Sequence, residues 1–359
     1  MTETVEEKLS IRTEKIEKSR LPEVDFENLP FGRVFSDHMF VADYKDNGWH
    51  DLRIVPYANI SFSPAMSTLH YAQSIFEGMK AYKRADGGVY LFRPDENFNR
   101  MNISANRMCM PEIREEVFMD GLKELIKLDQ GWVPEQEGST LYIRPFMFAV
   151  DDFIGVRPSD TYKFMIFTCP VASYYAEPVR VRIETDYTRA AKGGVGYAKT
   201  AGNYAASLYA ARNAQKDGYH QVIWTDGAEH KYIEESGTMN LFFKIDGTLI
   251  TASLGDSVLN GITRKSIIQL AKDFGQPVEE RRISVEEIDK ALKEGRVEEA
   301  FGAGTAAVVS SIKTIGHQGT DYDLPPMVEG TFAYKVKETL HNIRMGKVAD
   351  KHQWMVKVN

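Results

Sequence analysis

The chain has 359 residues, 43% of them hydrophobic and 26% charged, which is too long for one comfortable core and too apolar for extensive disorder, so two packed domains are expected. A formal net charge of -7 excludes a protein whose main task is neutralising nucleic-acid phosphates or anionic lipid. Its two cysteines, Cys109 and Cys169, lie in apolar surroundings without a CxxC partner, so neither a disulfide framework nor a metal site is expected, and a reducing, cytoplasmic setting follows.

Residues 1–20 mix glutamate and lysine without an apolar run. This excludes a signal or transit peptide and suggests a loose helix or a mobile arm. No stretch reaches the roughly 18 apolar residues a membrane-spanning helix requires. From Phe31 onward strand signals alternate with helical periods, which points to a mixed α/β architecture.

In the first half, residues 53–55, 79–82 and 88–92 read as strands, the last following a Gly-Gly turn. Pro94 and Asp95 open a helix carrying Met101, Ala105 and Met108 on one face, and a second helix spans residues 115–128. Strands return at 141–149 and 163–168. These signals place an N-terminal α/β domain at residues 1–175 and an interdomain linker at 176–189, interrupted by a β-like run at 179–183. A C-terminal domain then fills residues 190–359.

In that second domain the helical period starts around Asn203, and residues 240–245, an Asp246-Gly247 turn and residues 248–251 form a hairpin. Asn260 and Gly261 lead into an amphipathic helix with Ile267, Leu270, Ala271 and Phe274 inward and Gly275 as its stop. Ser284 with Glu287 reads as a capping box, with Gly295 ending that helix. Strand-like residues 297–301 and 308–310 flank a small-residue loop, Gly302-Ala303-Gly304-Thr305-Ala306.

The run Gly193-Gly194-Val195-Gly196-Tyr197-Ala198-Lys199-Thr200 resembles a phosphate-binding P-loop but fails at Ala198, where the backbone must wrap closely round phosphate. A nucleotide-binding protein, with Asp226 as its acidic metal-binding residue, is therefore the distant alternative. By itself Lys199 reads as a solvated lysine. It gains partners from the needs of pyridoxal phosphate: an amine for the aldehyde, a carboxylate for the ring nitrogen and donors for the phosphate. Glu235, at the mouth of a strand, offers the carboxylate, and the helix start at Ile262 and Thr263 offers the donors.

The segments Phe76-Glu77-Gly78-Met79-Lys80, Leu141-Tyr142-Ile143-Arg144-Pro145, Lys199 with Asn203 and Tyr204, Glu235 with Asn240, and Phe301 with Ala306 complete the pattern. Over nearly its whole length the chain resembles the branched-chain amino acid aminotransferases, two-domain enzymes of fold type IV that depend on pyridoxal phosphate. The resemblance implies Lys199 as the Schiff-base lysine and mover of the proton, with Glu235 on the ring nitrogen. It puts Tyr204 on the phenolic oxygen and Arg100, Ile262, Thr263 and Thr305 at the phosphate, with Thr238 also at the cofactor. Read alone, Arg100 is a structural salt bridge.

For substrate, the resemblance makes Thr305 and Ala306 backbone donors to the α-carboxylate, and Phe35, Phe76, Tyr142, Tyr174 and Thr238 an apolar side-chain pocket. Tyr71, Ile154 and Val156 would come from the second subunit of a homodimer, and Arg144 would receive the distal carboxylate of glutamate or 2-oxoglutarate. The implied reaction is ping-pong amino transfer between L-leucine, L-isoleucine or L-valine and 2-oxoglutarate, within branched-chain amino acid metabolism and without nucleic-acid or membrane partners. Ala307 and Ser310 stand where some family members carry a redox CxxC pair, so thiol regulation of that kind is not expected. The nearer alternatives are other fold type IV activities, a D-amino acid aminotransferase or an aminodeoxychorismate lyase.

Overall fold

A computed structural model describes residues 10–172 and 177–358. It divides into two units, one made of Met1–Ala172 with His352–Asn359 and the other of Ser173–Lys351.

The first unit lays down β1 (Arg12–Thr13), β2 (His38–Lys45), β3 (Gly48–Pro56), α1 (Ser67–Tyr71), β4 (Ser74–Phe76), β5 (Met79–Lys83) and β6 (Val89–Phe92), then α2 (Pro94–Arg107), α3 (Glu115–Leu128), β7 (Thr140–Ala149) and β8 (Tyr162–Val171). Among the described residues these strands form one sheet in the order β1-β3-β2-β8-β7-β5-β6, with the chain's final strand beside β6 and β4 also on β7. Because successive side chains alternate faces, Leu141, Ile143 and Met147 of β7 point one way and join Phe40, Ile54, Ala81 and Phe164. That layer packs on Met101 and Ala105 of α2 and on Val117, Phe118, Leu122 and Leu125 of α3. Gly121 lets α3 approach: a Cβ there would stand 2.6 Å from Phe40 Cζ. The same alternation sends Tyr142, Arg144, Phe146 and Phe148 to the opposite face.

The opening segment differs from the loose helix or mobile arm expected for residues 1–20. From residue 10 it is an extended arm, in which Arg12 and Thr13 pair in parallel with Arg53 and Ile54. The Glu14 amide donates to Ile54 O at 2.8 Å and the Ile16 amide to His38 Nε2 at 3.0 Å. Backbone donors that a short charged helix would leave weakly satisfied find fixed acceptors on a sheet edge.

The second unit runs β9 (Val179–Ile183), α4 (Ala201–Lys216), β10 (Gln221–Thr225), β11 (Tyr232–Ser236), β12 (Met239–Ile245), β13 (Thr248–Thr251) and α5 (Ile262–Asp273). It continues with β14 (Val278–Glu280), β15 (Ile283–Ser284), α6 (Val285–Lys293), β16 (Val297–Gly304), β17 (Val308–His317), β18 (Thr320–Asp323) and α7 (Phe332–Arg344). The sheet order is β14-β13-β12-β16-β17-β9-β10-β11-β15, and a further β11 to β12 pairing closes β12, β16, β17, β9, β10 and β11 into a ring. Inside lie Val181, Ile223, Leu241, Phe243 and Ile312.

Residues 179–183, expected within the linker, are thus a strand held between β17 and β10. The final strand, β19 (Met355–Lys357), expected in the C-terminal domain, pairs instead with β6 of the first unit. α4 begins at Ala201 rather than near Asn203, because the Asn203 side chain turns back to hold the carbonyls of Val195 and Ala198, both at 2.9 Å. Only half of the capping box forms. Ser284 Oγ accepts from the Glu287 amide at 3.0 Å, while the Glu287 carboxylate pairs with Arg281 at 2.6 Å. Among the described residues no helix is long and apolar enough to cross a membrane.

Candidate functional site

In the second unit Lys199 lies one residue before the N-cap of α4, and Tyr204 lies in that helix's first turn. The spacing brings the two side chains together, and Lys199 Nζ donates to Tyr204 Oη at 2.7 Å. Lys199 is half-buried, so its amine is held without being sealed from a ligand.

Glu235 is 3% exposed and sits opposite Asn240 in the tight β11 to β12 hairpin. Its Oε1 accepts from Asn240 Nδ2 at 3.1 Å and from the Leu259 amide at 2.7 Å, while Oε2 faces the Arg189 guanidinium at 3.0 Å. A buried carboxylate this well paired stays in one orientation. Beside it, burial pushes the Glu234 carboxyl above its ordinary range, and a hydrogen bond from Ser257 only partly offsets this. Thr238 is exposed at the hairpin tip.

α5 starts directly after Gly261. No acceptor within the described residues takes the first-turn amides of Ile262 and Thr263, although both residues are buried. Two unclaimed amides at the positive end of a 12-residue helix suit an anion such as a phosphate. Thr305 and Ala306 form the half-buried turn between β16 and β17, where close-packed backbone could meet a small carboxylate.

The P-loop alternative fails on where its amides point. Gly193 donates to the Asp256 carboxylate, Gly194 to Ala191 O, Tyr197 to Asp256 O and Ala198 to Val195 O, so these groups cannot cradle a phosphate. Asp226, its proposed metal residue, instead accepts from the amides of Ala228, Glu229, Lys231 and Tyr232. Burial raises the Asp226 carboxyl, and these four donors more than reverse that, leaving it below the usual range.

In the first unit the face opposite the helices gathers several expected substrate residues. Arg144 Nη2 donates to Tyr142 Oη at 3.1 Å, and its guanidinium lies 4.5 Å from the Phe76 ring centre. Half-buried Phe35 stacks on Tyr57 at 4.9 Å and packs with Tyr142 and Cys169. Arg100 is 8% exposed, and its Nε and Nη2 make a two-pronged pair with Glu77 at 2.7 and 2.8 Å. Glu77, fully buried, also accepts from Asn97 at 2.7 Å. Arg100 is therefore held in a structural salt bridge, which leaves one edge of its planar guanidinium facing away from Glu77.

Tyr71, Ile154 and Val156 are exposed, at 38, 67 and 91%, on α1 and on the loop after β7, whose Asp152 bridges Met66 just before α1. Tyr174 lies outside the described residues. Sequence reasoning missed Arg189, Asn97 and the roles of Glu77 and Asn240. Nothing local marks Arg189, Asn97 or Glu77, since each acts on a partner reached only through the fold, whereas Asn240 bonds Glu235 across a hairpin only five residues long in sequence. Gly78 was readable only as part of a string, yet a Cβ there would fall inside contact distance of Tyr142 Oη.

Residues 74–315 match the family model described as amino-transferase class IV. The branched-chain-amino-acid aminotransferase 2 of Bacillus subtilis strain 168 is 48% identical over 355 residues, covering 98% of each chain. Among solved structures, a branched-chain aminotransferase of Thermoproteus uzoniensis with norvaline superposes with a TM-score of 0.75 at 26% identity, covering 90% of this chain and 100% of that one. A branched-chain amino acid aminotransferase of T.th., complexed with N-(5'-phosphopyridoxyl)-L-glutamate, gives 0.72 at 25% identity, covering 89% and 98%. The chain belongs to the class IV amino-transferases and, within them, to the branched-chain amino acid aminotransferases, pyridoxal-phosphate-dependent transaminases of fold type IV.

Proposed function

We propose that this enzyme transfers the amino group of L-leucine, L-isoleucine or L-valine to 2-oxoglutarate in a ping-pong reaction, as a homodimer in the cytoplasm, with Lys199 as its catalytic residue. The observation that carries the site assignment is the Lys199 to Tyr204 contact at 2.7 Å. The donor set of the second unit fits the cofactor: an accessible amine, a fixed buried carboxylate and two amides at a helix start that no acceptor among the described residues takes. The relative complexed with a phosphopyridoxyl-glutamate adduct supports glutamate, and so 2-oxoglutarate, as the second substrate pair.

Pyridoxal phosphate, when bound, supplies an aldehyde for the substrate amine and a ring that accepts the electrons of a broken Cα–H bond. Lys199 would hold it through the aldehyde carbon. Lys199 Nζ would then serve as the base that takes the proton from the substrate Cα and as the acid that returns it. Tyr204 Oη keeps that amine positioned and would face the phenolic oxygen. Glu235 would hold the proton on the ring nitrogen, while Ile262, Thr263, Thr305 and Arg100 would orient the phosphate, with Thr238 alongside.

For substrate, Thr305 and Ala306 amides would bind the α-carboxylate. Phe35, Phe76, Tyr142, Tyr174 and Thr238 would enclose an alkyl side chain, with Tyr71, Ile154 and Val156 of a second subunit. Aromatic faces accept a branched alkyl group, whereas the Tyr142 hydroxyl and Arg144 can receive a carboxylate without leaving a charge unpaired. One pocket can thereby serve both partners of the exchange.

Borohydride treatment of the purified enzyme should fix the cofactor on the peptide containing Lys199, and Lys199→Ala should abolish both fixation and oxo-acid formation from L-leucine with 2-oxoglutarate. Transamination at the normal rate by Lys199→Ala, or activity confined to D-amino acids, would defeat the proposal.

A further inference from the structure

The Glu235 carboxylate does not face the protein through neutral donors alone. Arg189, in the segment between β9 and α4, lies with its Nη1 3.0 Å from Glu235 Oε2, and both side chains are nearly sealed from water, at 8 and 4% exposure. The same guanidinium donates to Ser257 O at 2.9 Å and to Gly196 O at 3.4 Å. It therefore ties the carboxylate to two loops: the one that precedes α5 and the one that ends in Lys199. Tight packing locks that arrangement, since a Cβ at Gly196 would stand 2.6 Å from Ser257 Cα and 2.6 Å from Ala190 Cβ.

Burial favours the neutral form of a carboxyl group, and a facing cation opposes this. If Glu235 took a proton, it would donate that proton to an uncharged ring nitrogen, and the ring would become a poorer acceptor of electrons. With Arg189 3.0 Å away, the charged form of the carboxylate is favoured, and it would hold a proton on the ring of a bound cofactor. The other charges that feel the pair are Glu234, whose raised carboxyl owes most to burial and part to Glu235, and buried Arg264 of α5, on which Glu235 also acts; Asp226 acts on Glu234. Arg264 is engaged by Glu280 at 2.8 Å and by Ala252 O, whereas Arg189 is in direct contact with Glu235.

We propose that Arg189 is a positioning residue for amino transfer: through Glu235 it sets the protonation of the cofactor's ring nitrogen and, through Gly196 and Ser257, the register of the lysine loop against the α5 start. This rests on the assignment of Glu235 to the ring nitrogen, and the test separates the two claims.

The cofactor is labelled with nitrogen-15 in its ring and bound to the wild type, Glu235→Ala, Arg189→Gln and Arg189→His, and the ring-nitrogen resonance is followed from pH 6 to 9. Wild type should hold the pyridinium position throughout, and Glu235→Ala should move to the neutral position. If Glu235→Ala leaves the resonance in place, the Glu235 assignment itself falls. Arg189→Gln should move it towards neutral and lower kcat for L-leucine by at least tenfold with KM changed less than threefold. Arg189→His carries a cation that titrates within the window, so its resonance should pass from the charged to the neutral position as pH rises, which keeps the test open should Arg189→Gln fail to fold. A resonance that stays at the pyridinium position in Arg189→Gln, or is flat with pH in Arg189→His, overturns the role of Arg189 while leaving that of Glu235 standing.

Discussion

Gly78 offers a way to move one site atom by a known amount. Its backbone angle is one that any residue adopts, so Gly78→Ala acts through contact alone: the new methyl would fall inside the van der Waals distance of Tyr142 Oη and stand 3.1 Å from Cζ. Tyr142 has little room to retreat, being 7% exposed, edge-on to Phe31 at 5.3 Å and bonded to Arg144 at 3.1 Å. Overpacking of this kind costs about 1–3 kcal/mol, and for domains of 150–250 residues each kcal/mol lowers Tm by about 2–4 °C, so a fall of several degrees is expected. Tyr142→Phe removes the clashing oxygen and one neutral acceptor of Arg144, a loss of about 1 kcal/mol. The two changes touch the same atom, so the double variant should be more stable than the sum predicts by about 1–2 kcal/mol, measured by urea unfolding of all four proteins. Simple additivity would show that the Gly78 contact is not with the hydroxyl. In activity assays Gly78→Ala should raise KM for glutamate more than for L-leucine, because the displaced hydroxyl is a partner of Arg144.

Two further outcomes follow from charge and burial. Burial raises the Asp43 carboxyl, but hydrogen bonds from Lys163 and Arg53 outweigh it and leave it below 3.8. A carboxyl depressed in the folded state adds stability that is present above its unfolded value and is lost as pH falls through the folded one. Asp43→Asn should thus be less stable than wild type at pH 7, with the gap closing below about pH 4 in urea titrations; a gap independent of pH would refute the pairing. Burial pushes the Cys169 thiol up to about 11, whereas Cys109 is exposed. Iodoacetamide at pH 8 should therefore label Cys109 and spare Cys169 until the protein is unfolded, as read by peptide mass spectrometry.

The parts legible in the sequence are those decided within a few residues. The helix at residues 115–128 and the strands at 179–183 and 248–251 form over the expected residues, because apolar period and turn residues specify them locally. Lys199 and Tyr204 meet for the same reason, being one helical turn apart across a cap. The arm at residues 10–20 was misjudged because its hydrogen-bond acceptors belong to β2 and β3, which no local pattern reveals. The final strand escaped likewise, since its partner β6 lies at residues 89–92, far earlier in the chain.

The segment Phe76-Glu77-Gly78 shows how a string can carry a resemblance while hiding its physics. Glu77 is fully buried only because Asn97 and Arg100, one helical turn apart on α2, reach it across 20 and 23 residues of sequence. Phe76 alternates to the opposite side of the sheet and lies beneath the Arg144 guanidinium, while Gly78 makes room for the Tyr142 hydroxyl. Three adjacent residues thus brace two separate arginines from two faces of one sheet, and substituting any of them displaces a cation rather than merely loosening a strand. Removing the Glu77 carboxylate would leave Arg100 buried without its counter-charge, which is far more destabilising than losing both together. A paired Glu77→Gln and Arg100→Met change should therefore recover stability lost in Glu77→Gln alone, yet regain none of the cofactor affinity if Arg100 holds the phosphate.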